Sequence, residues 1–294
     1  MRKKAIATYI KRSKKYFGFL IILLTAAVFI AYIRLNPGAL DPIKSAPVYV
    51  IPVVLVLYGL FLLTNFVVTV LTIKFSGKDF PAKGSLLLTV YSTLINFFGP
   101  LQSGPGFRAV YLKKKIGLSI KDYTLITLLY YGSFFAISMA MVFGFAYPYP
   151  TLLLLGSIFT VGLWFFRKEK IAVLIKRFLA IAFVTLIQIT LIAIIYNIEL
   201  RAVGYQPSIA STLIYTGSAN LALFVALTPG AIGIRESFIY FSQSLHNIPT
   251  DTIVNAGLLD RAIYIIFLGT LFVLSSSLHI GKKINSARAQ NSAS

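Results

Sequence analysis

The sequence predicts an all-α polytopic membrane protein with about six spans, two re-entrant helical hairpins and an inverted-topology repeat; about eight full spans is the alternative. Three observations lead there. Apolar residues make up 57% of the chain and charged ones 12%, against roughly 25% charged in soluble domains. Several runs approach or exceed the ~20 apolar residues that cross a bilayer, among them Tyr16 to Ile33 and Val48 to Ile73. The runs do not alternate, which favours helices over a closed barrel. Finally, the 28 basic residues cluster between the runs. The net charge of +20 therefore reads as positive-inside topology and contact with anionic headgroups, and nucleic acid is rejected as a partner.

The elements follow in order. Residues 1–15 form a basic N-terminus, placed in the cytoplasm by seven lysines and arginines. The first run is too long for an ordinary signal peptide and is kept as a span. It ends outside, and the run Val48 to Ile73 returns inside. The apolar piece Ser85 to Leu101 comes next, followed by five basic residues from Arg108 to Lys121. If that piece crossed, this cluster and the later one at Arg167 to Arg177 would both lie outside. A hairpin turning at Gly99 to Gly106 returns them to the cytoplasm. Tyr123 to Phe145 then goes out, Thr151 to Phe166 comes back and Phe178 to Ile198 goes out again.

A second broken segment, 209–248, enters from the opposite side and turns at "TPGAIGIRE", Thr228 to Glu236. The last run, Ala262 to Ile280, ends inside. This arrangement puts 23 of the 28 basic residues in the cytoplasm. It implies one membrane domain over residues 16–281, with repeats of about 16–146 and 151–281, and a polar cytoplasmic tail at 282–294. Both termini face the cytoplasm of a cell (inner) membrane. In inverted repeats, broken helices meet near the midplane and form the substrate site.

The two breaks hold the candidate site. In the first, Gly99, Pro100, Gly104 and Gly106 are break or hinge positions, and Gln102, Ser103 and Arg108 are candidate headgroup ligands. A glycine-rich turn before a helix can offer amide groups to phosphate. Alternatively it is a kinked hairpin whose Arg108 snorkels to the interface. In the second break, Pro229, Gly230 and Gly233 are the hinge, and Arg235, Glu236 and Arg261 the candidate ligands. Ionisable residues at membrane depth take a partner or face a polar pathway. Arg235 and Glu236 either pair with Asp260 and Arg261 to hold the fold, or Arg235 meets an anionic headgroup while Glu236 orients it.

Lys113, Lys114 and Lys115 read as a cytoplasmic surface. The 17 tyrosines and 24 phenylalanines read as interface belts and packing. Glu199 with Arg201 reads as an interfacial pair, and Asp79 and Asp122 as loop charges or caps. No catalytic residue, metal site or cofactor is expected: His246 and His279 are the only histidines and have no metal-ligand spacing. No soluble stretch is long enough for a nucleotide-binding domain. Cysteine is absent.

"TPGAIGIRES" followed by "LLDRAIY" resembles the PGGxGxRE…R signature of the lysylphosphatidylglycerol synthase transmembrane-region (flippase-like) family. "NFFGPLQSGPGFRAVYLKKKIGLSIKDY" is similar to that family's earlier P-x-x-x-G-E-x-x-R block. Pro105 stands where the family usually has glutamate, and Ala231 replaces a common glycine, a mild change. The resemblance implies an integral inner-membrane domain that binds lipids and in some relatives moves lipids or polyprenyl-linked glycolipids between leaflets. It carries over Arg108, Pro229, Gly230, Gly233, Arg235, Glu236 and Arg261. The aminoacyl-transferase domain of multidomain relatives is expected to be absent. The resulting expectation is an ATPase-free lipid flippase-like protein for an anionic phospholipid or a polyprenyl-phosphate lipid. Two rival readings are a non-transporting subunit that anchors a separate glycosyltransferase or lipid synthase, and a lipid-modifying enzyme using Glu236 or Asp260 as base.

Overall fold

The computed structural model of the chain describes residues 34, 41, 44, 46–99, 103–144, 147–165, 171–225, 229–231 and 233–291. The first predicted span and the candidates Pro100 and Gln102 lie outside these residues. All the regular elements among them are helical: α1 (Val50–Phe75), α2 (Ala82–Phe98), α3 (Ser103–Ile116), α4 (Ile120–Phe143), α5 (Pro148–Phe165), α6 (Ile171–Ala202), α7 (Ile209–Ala222), α8 (Ile234–Phe241), α9 (Gln243–His246) and α10 (Thr250–Asn291). Short 3₁₀ turns occupy Leu223–Val225 and Pro229–Ala231 between α7 and α8. The chain is a polytopic membrane protein.

Among the described residues, four helical stretches are long and apolar enough to cross a bilayer: Val50–Phe75, Ile120–Phe143, Ile175–Ala202 and Thr250–Ser275. At 1.5 Å per residue each reaches about 36–42 Å, more than the ~30 Å hydrocarbon core. The helix closes its own backbone hydrogen bonds, as lipid requires. Hydroxyls within these stretches do the same: Thr72 and Thr185 donate to the carbonyls four residues earlier, each at 2.8 Å. Large apolar side chains such as Phe183, Phe272 and Val273 stand more than 60% exposed, as lipid-facing residues must.

Between these long helices lie two pairs of short ones. α2 and α3 pack against each other as the limbs of a hairpin, and so do α7 and α8. The packing has a correspondence. α1 touches α2 and α4 as α6 touches α7 and α10; α3 meets α4 as α8 meets α10; α4 lies on α6 and α7 as α10 lies on α1 and α2; and α1 packs on α6. Exchanging one set of four for the other therefore returns the same neighbours. The largest core cluster sits where α1, α6, α7 and α10 converge, around Tyr58, Leu62, Ile195, Tyr215 and Leu259. A second cluster joins α1, α4 and α6 through Val68, Tyr130, Phe134 and Ile189.

Candidate functional site

The first hairpin turns because α2 ends at Gly99 and a new helix begins at Ser103. Its limbs are pinned by the Gly104 amide, which donates to Asn96 Oδ1 at 3.3 Å, and by the Ser103 hydroxyl, which donates to the Ile95 carbonyl at 3.4 Å. Gly104 is needed here: a Cβ would come within 2.5 Å of the Ser92 carbonyl oxygen. One turn on, Arg108 reaches across to α1, where its Nη1 donates to Thr69 Oγ1 at 2.8 Å. Its Nε is buried without an acceptor among the described residues. No carboxylate lies within ion-pair distance of Arg108 among the described residues. Gly106 is exposed, on the other side of the limb.

The second break is sharper. Gly230 and Gly233 take left-handed φ values of 59° and 83°, which glycine adopts without steric cost. Ala231, between them, is also left-handed at 54° and buried. Replacing the family's usual glycine there is thus not the mild change expected, because a Cβ in that region costs about 1–2 kcal/mol. Beyond Gly233 the chain re-enters a helix, and Glu236 Oε2 accepts from the Gly233 amide at 2.8 Å, which satisfies one free donor of the first turn.

Arg235 and Asp260 meet at 2.5 Å with side chains only 8% and 4% exposed. Arg235 Nη1 also donates to the Tyr196 hydroxyl at 3.3 Å, and the Tyr58 hydroxyl donates to Asp260. Arg261 Nη2 donates to Glu236 Oε1 at 3.3 Å, and its Nη1 to the Gly230 carbonyl at 2.6 Å. Glu236 Oε1 is 3.5 Å from Arg235 Nε. The pairing expected to hold the fold is therefore present: Arg235 with Asp260 and Glu236 with Arg261. Two guanidiniums face two carboxylates, and Arg261 ties the cluster to the backbone of the break.

The two breaks come together on a partly open cavity of about 230 Å³. From the first half its wall takes Asn65, Ser92, Asn96, Gly104 and Pro105; from the second, Gly230, Arg235, Asp260 and Arg261. Of the sequence candidates, Gly104, Gly230, Arg235 and Arg261 reach this wall. Arg108 stands one turn beyond Gly104, and Glu236 behind Arg261. Ser103 serves the hairpin, Gly99 ends α2, and Gly233 is exposed at the start of α8. Pro229 lies in the 3₁₀ turn of the break.

Sequence reasoning missed part of the wall. Tyr58, Tyr130, Gln188, Tyr196 and Asn220 line the cavity, yet each sits in an apolar run where a lone polar residue resembles core. Asn220 alone carried a signal, because it precedes the second Pro-Gly break as Asn96 precedes the first. Glu199 is a correction. It is 1% exposed, and neither carboxylate oxygen has a hydrogen-bond partner among the described residues. Arg201 instead faces outward and donates to Asn197 and Gln206, because residues two apart on a helix point to different sides.

The model of the family described as Lysylphosphatidylglycerol synthase TM region matches residues 17–271. No curated protein and no solved structure matches the chain.

Proposed function

Because this chain belongs to the lysylphosphatidylglycerol synthase transmembrane-region family, we propose that it binds a phosphate-bearing lipid by its headgroup and passes it between leaflets without an ATPase of its own. One observation carries this reading. A cavity with polar groups in its wall lies between two broken helices among membrane-length helices, and one turn beyond Gly104 of that wall stands Arg108, whose side-chain partner among the described residues is the Thr69 hydroxyl. An arginine at membrane depth costs about 2.5–3.5 kcal/mol on insertion scales. Arg235 and Arg261 offset that cost with carboxylates; among the described residues Arg108 has none. It is therefore the anion-binding arginine, and the cluster around Arg235 is the rigid back wall. Lipid acyl chains remain in the bilayer while the headgroup enters.

The exchangeable packing of the two sets of helices supports an inverted repeat whose hairpins re-enter from opposite faces. Rocking of one set against the other then alternates access to a fixed site. Both termini are cytoplasmic and the membrane is the cell membrane. Glu236 and Asp260, the acids a lipid-modifying enzyme would use as base, are both held in ion pairs, which favours a carrier. The exposed Lys113, Lys114 and Lys115 at the end of α3 support the second reading, a subunit that docks a separate lipid-modifying enzyme.

Vesicles containing the purified chain and a leaflet-reporting phospholipid test the proposal. Transport predicts lipid exchange that Arg108→Ala slows by about tenfold or more. A docking subunit predicts no exchange, and loss of partner co-purification when the three lysines are neutralised.

A further inference from the structure

The cavity wall also carries donors that the protein leaves unused. Gln188 on α6 and Asn220 on α7 are each 1% exposed and line the cavity. Tyr130 donates its hydroxyl proton to Gln188 Oε1 at 2.9 Å, which turns the amide so that Nε2 is the free end. Among the described residues neither Gln188 Nε2 nor Asn220 Nδ2 finds an acceptor. Most buried polar groups are satisfied, and two stranded amides from different helices on one cavity call for acceptor oxygens. The matching residue of the first hairpin, Asn96, spends its amide oxygen on Gly104. Asn220 has no such duty for its Nδ2.

From these groups we infer that the cavity takes an uncharged, hydroxyl-bearing headgroup of about one sugar ring, carried on the phosphate that Arg108 holds. This rests on the lipid-binding reading above. Size and charge both point this way. About 230 Å³ is below the roughly 300–1,000 Å³ of pockets for drug-sized ligands, which leaves room for one ring. The wall's guanidiniums are already matched by carboxylates, so a second charge entering there would find no counter-ion. Amide donors suit hydroxyl oxygens, and the apolar faces of Phe97 and Tyr264, in contact at 5.4 Å, suit the C–H face of a ring.

The test is equilibrium binding of four probes to the full-length chain in detergent, read by native mass spectrometry. Phosphatidylinositol and farnesyl phosphoryl glucose carry a neutral ring; phosphatidic acid and farnesyl phosphate carry none. The ringed probes are expected to bind about tenfold tighter than their ringless counterparts, and the better tail identifies the lipid source. Asn220→Leu should reduce ringed binding to the ringless level, leave ringless binding alone and not lower the melting temperature, since it removes a stranded donor. The double variant Gln188→Met, Tyr130→Phe, which takes away both members of that hydrogen bond, should do the same. Equal affinity for ringed and ringless probes overturns the inference while the lipid site stands. So does a melting-temperature loss in both variants without a change in selectivity. If none of the four probes binds, the lipid-binding reading itself fails.

Discussion

Phe97, at the end of α2, lies directly on Gly230 in the second break: a Cβ on Gly230 would come within 2.7 Å of the ring. The first hairpin thus ends against the backbone of the second, and Arg261 holds that backbone from the other side through the Gly230 carbonyl at 2.6 Å. Phe97 also meets Tyr264 of α10 at 5.4 Å between ring centroids. The cavity is bounded by this contact between the two breaks.

The break therefore answers to backbone chemistry at neighbouring positions with opposite signs. Ala231→Gly relieves a left-handed alanine at φ 54° and should raise stability by about 1 kcal/mol. Gly230→Ala places a Cβ both in a left-handed residue and against Phe97, and should cost at least that much. Thermal melts of the two variants in detergent check both directions. Equal and small effects would show that the break does not hold these conformations.

The ion network makes a second prediction. Asp260→Asn leaves Arg235, at 7% exposure, without its closest counter-charge, and should destabilise the protein by about 3–5 kcal/mol. Adding Arg235→Met should recover most of the loss, because an absent pair costs far less than a broken one. A melt of the single and double variants decides it.

His246, in the connection between α8 and α10, gives a pH dependence. Its Nε2 donates to the Ile239 carbonyl at 2.9 Å, and its Nδ1 accepts from the Ile248 amide at 3.0 Å, an arrangement only the neutral ring satisfies. Burial pushes its pKa below the ordinary 6.5, against the opposing pull of the Ile239 carbonyl. The unfolded chain then takes up the proton first, so this contribution is complete above about pH 6.5 and is lost as pH falls through the lower folded value. His246→Gln should flatten the acid limb of the stability profile. An unchanged acid limb would locate the sensitivity elsewhere.

Topology is testable with single cysteines, since the chain has none of its own. A cysteine at Lys113 should react with a membrane-impermeant reagent only from the cytoplasmic side. Labelling from outside would place α2 across the membrane and remove the re-entrant hairpin.

The helices and both breaks were legible in the sequence because they rest on signals that composition cannot hide. Long apolar runs have to be helical in lipid, and Gly99, Gly104, Gly230 and Gly233 interrupt them. The pairing of Arg235 with Asp260 was legible as one of two options, since an arginine at that depth needs a partner. The rest required three dimensions. Gln188 looks like an ordinary polar residue in an apolar helix, and Asn220 like a loose echo of Asn96, until two helices bring them to one cavity. Glu199 beside Arg201 looked paired because adjacency in sequence suggests contact, whereas the helix turns one inward and the other out. Arg108 was singled out as one of several cations; that it lacks a carboxylate among the described residues emerges only once its neighbours are placed.

The central claim is that Arg108 serves a lipid phosphate on its way between leaflets. The most direct measurement is the initial rate of leaflet exchange of phosphatidylglycerol in vesicles holding equal amounts of wild-type protein or Arg108→Ala. Loss of a hydrogen bond to a charged group is worth about 1.5–3 kcal/mol, so the variant should be slower by about tenfold or more, with its melting temperature near that of the wild type. Exchange at the wild-type rate without Arg108, or no exchange by the wild type itself, would contradict the account.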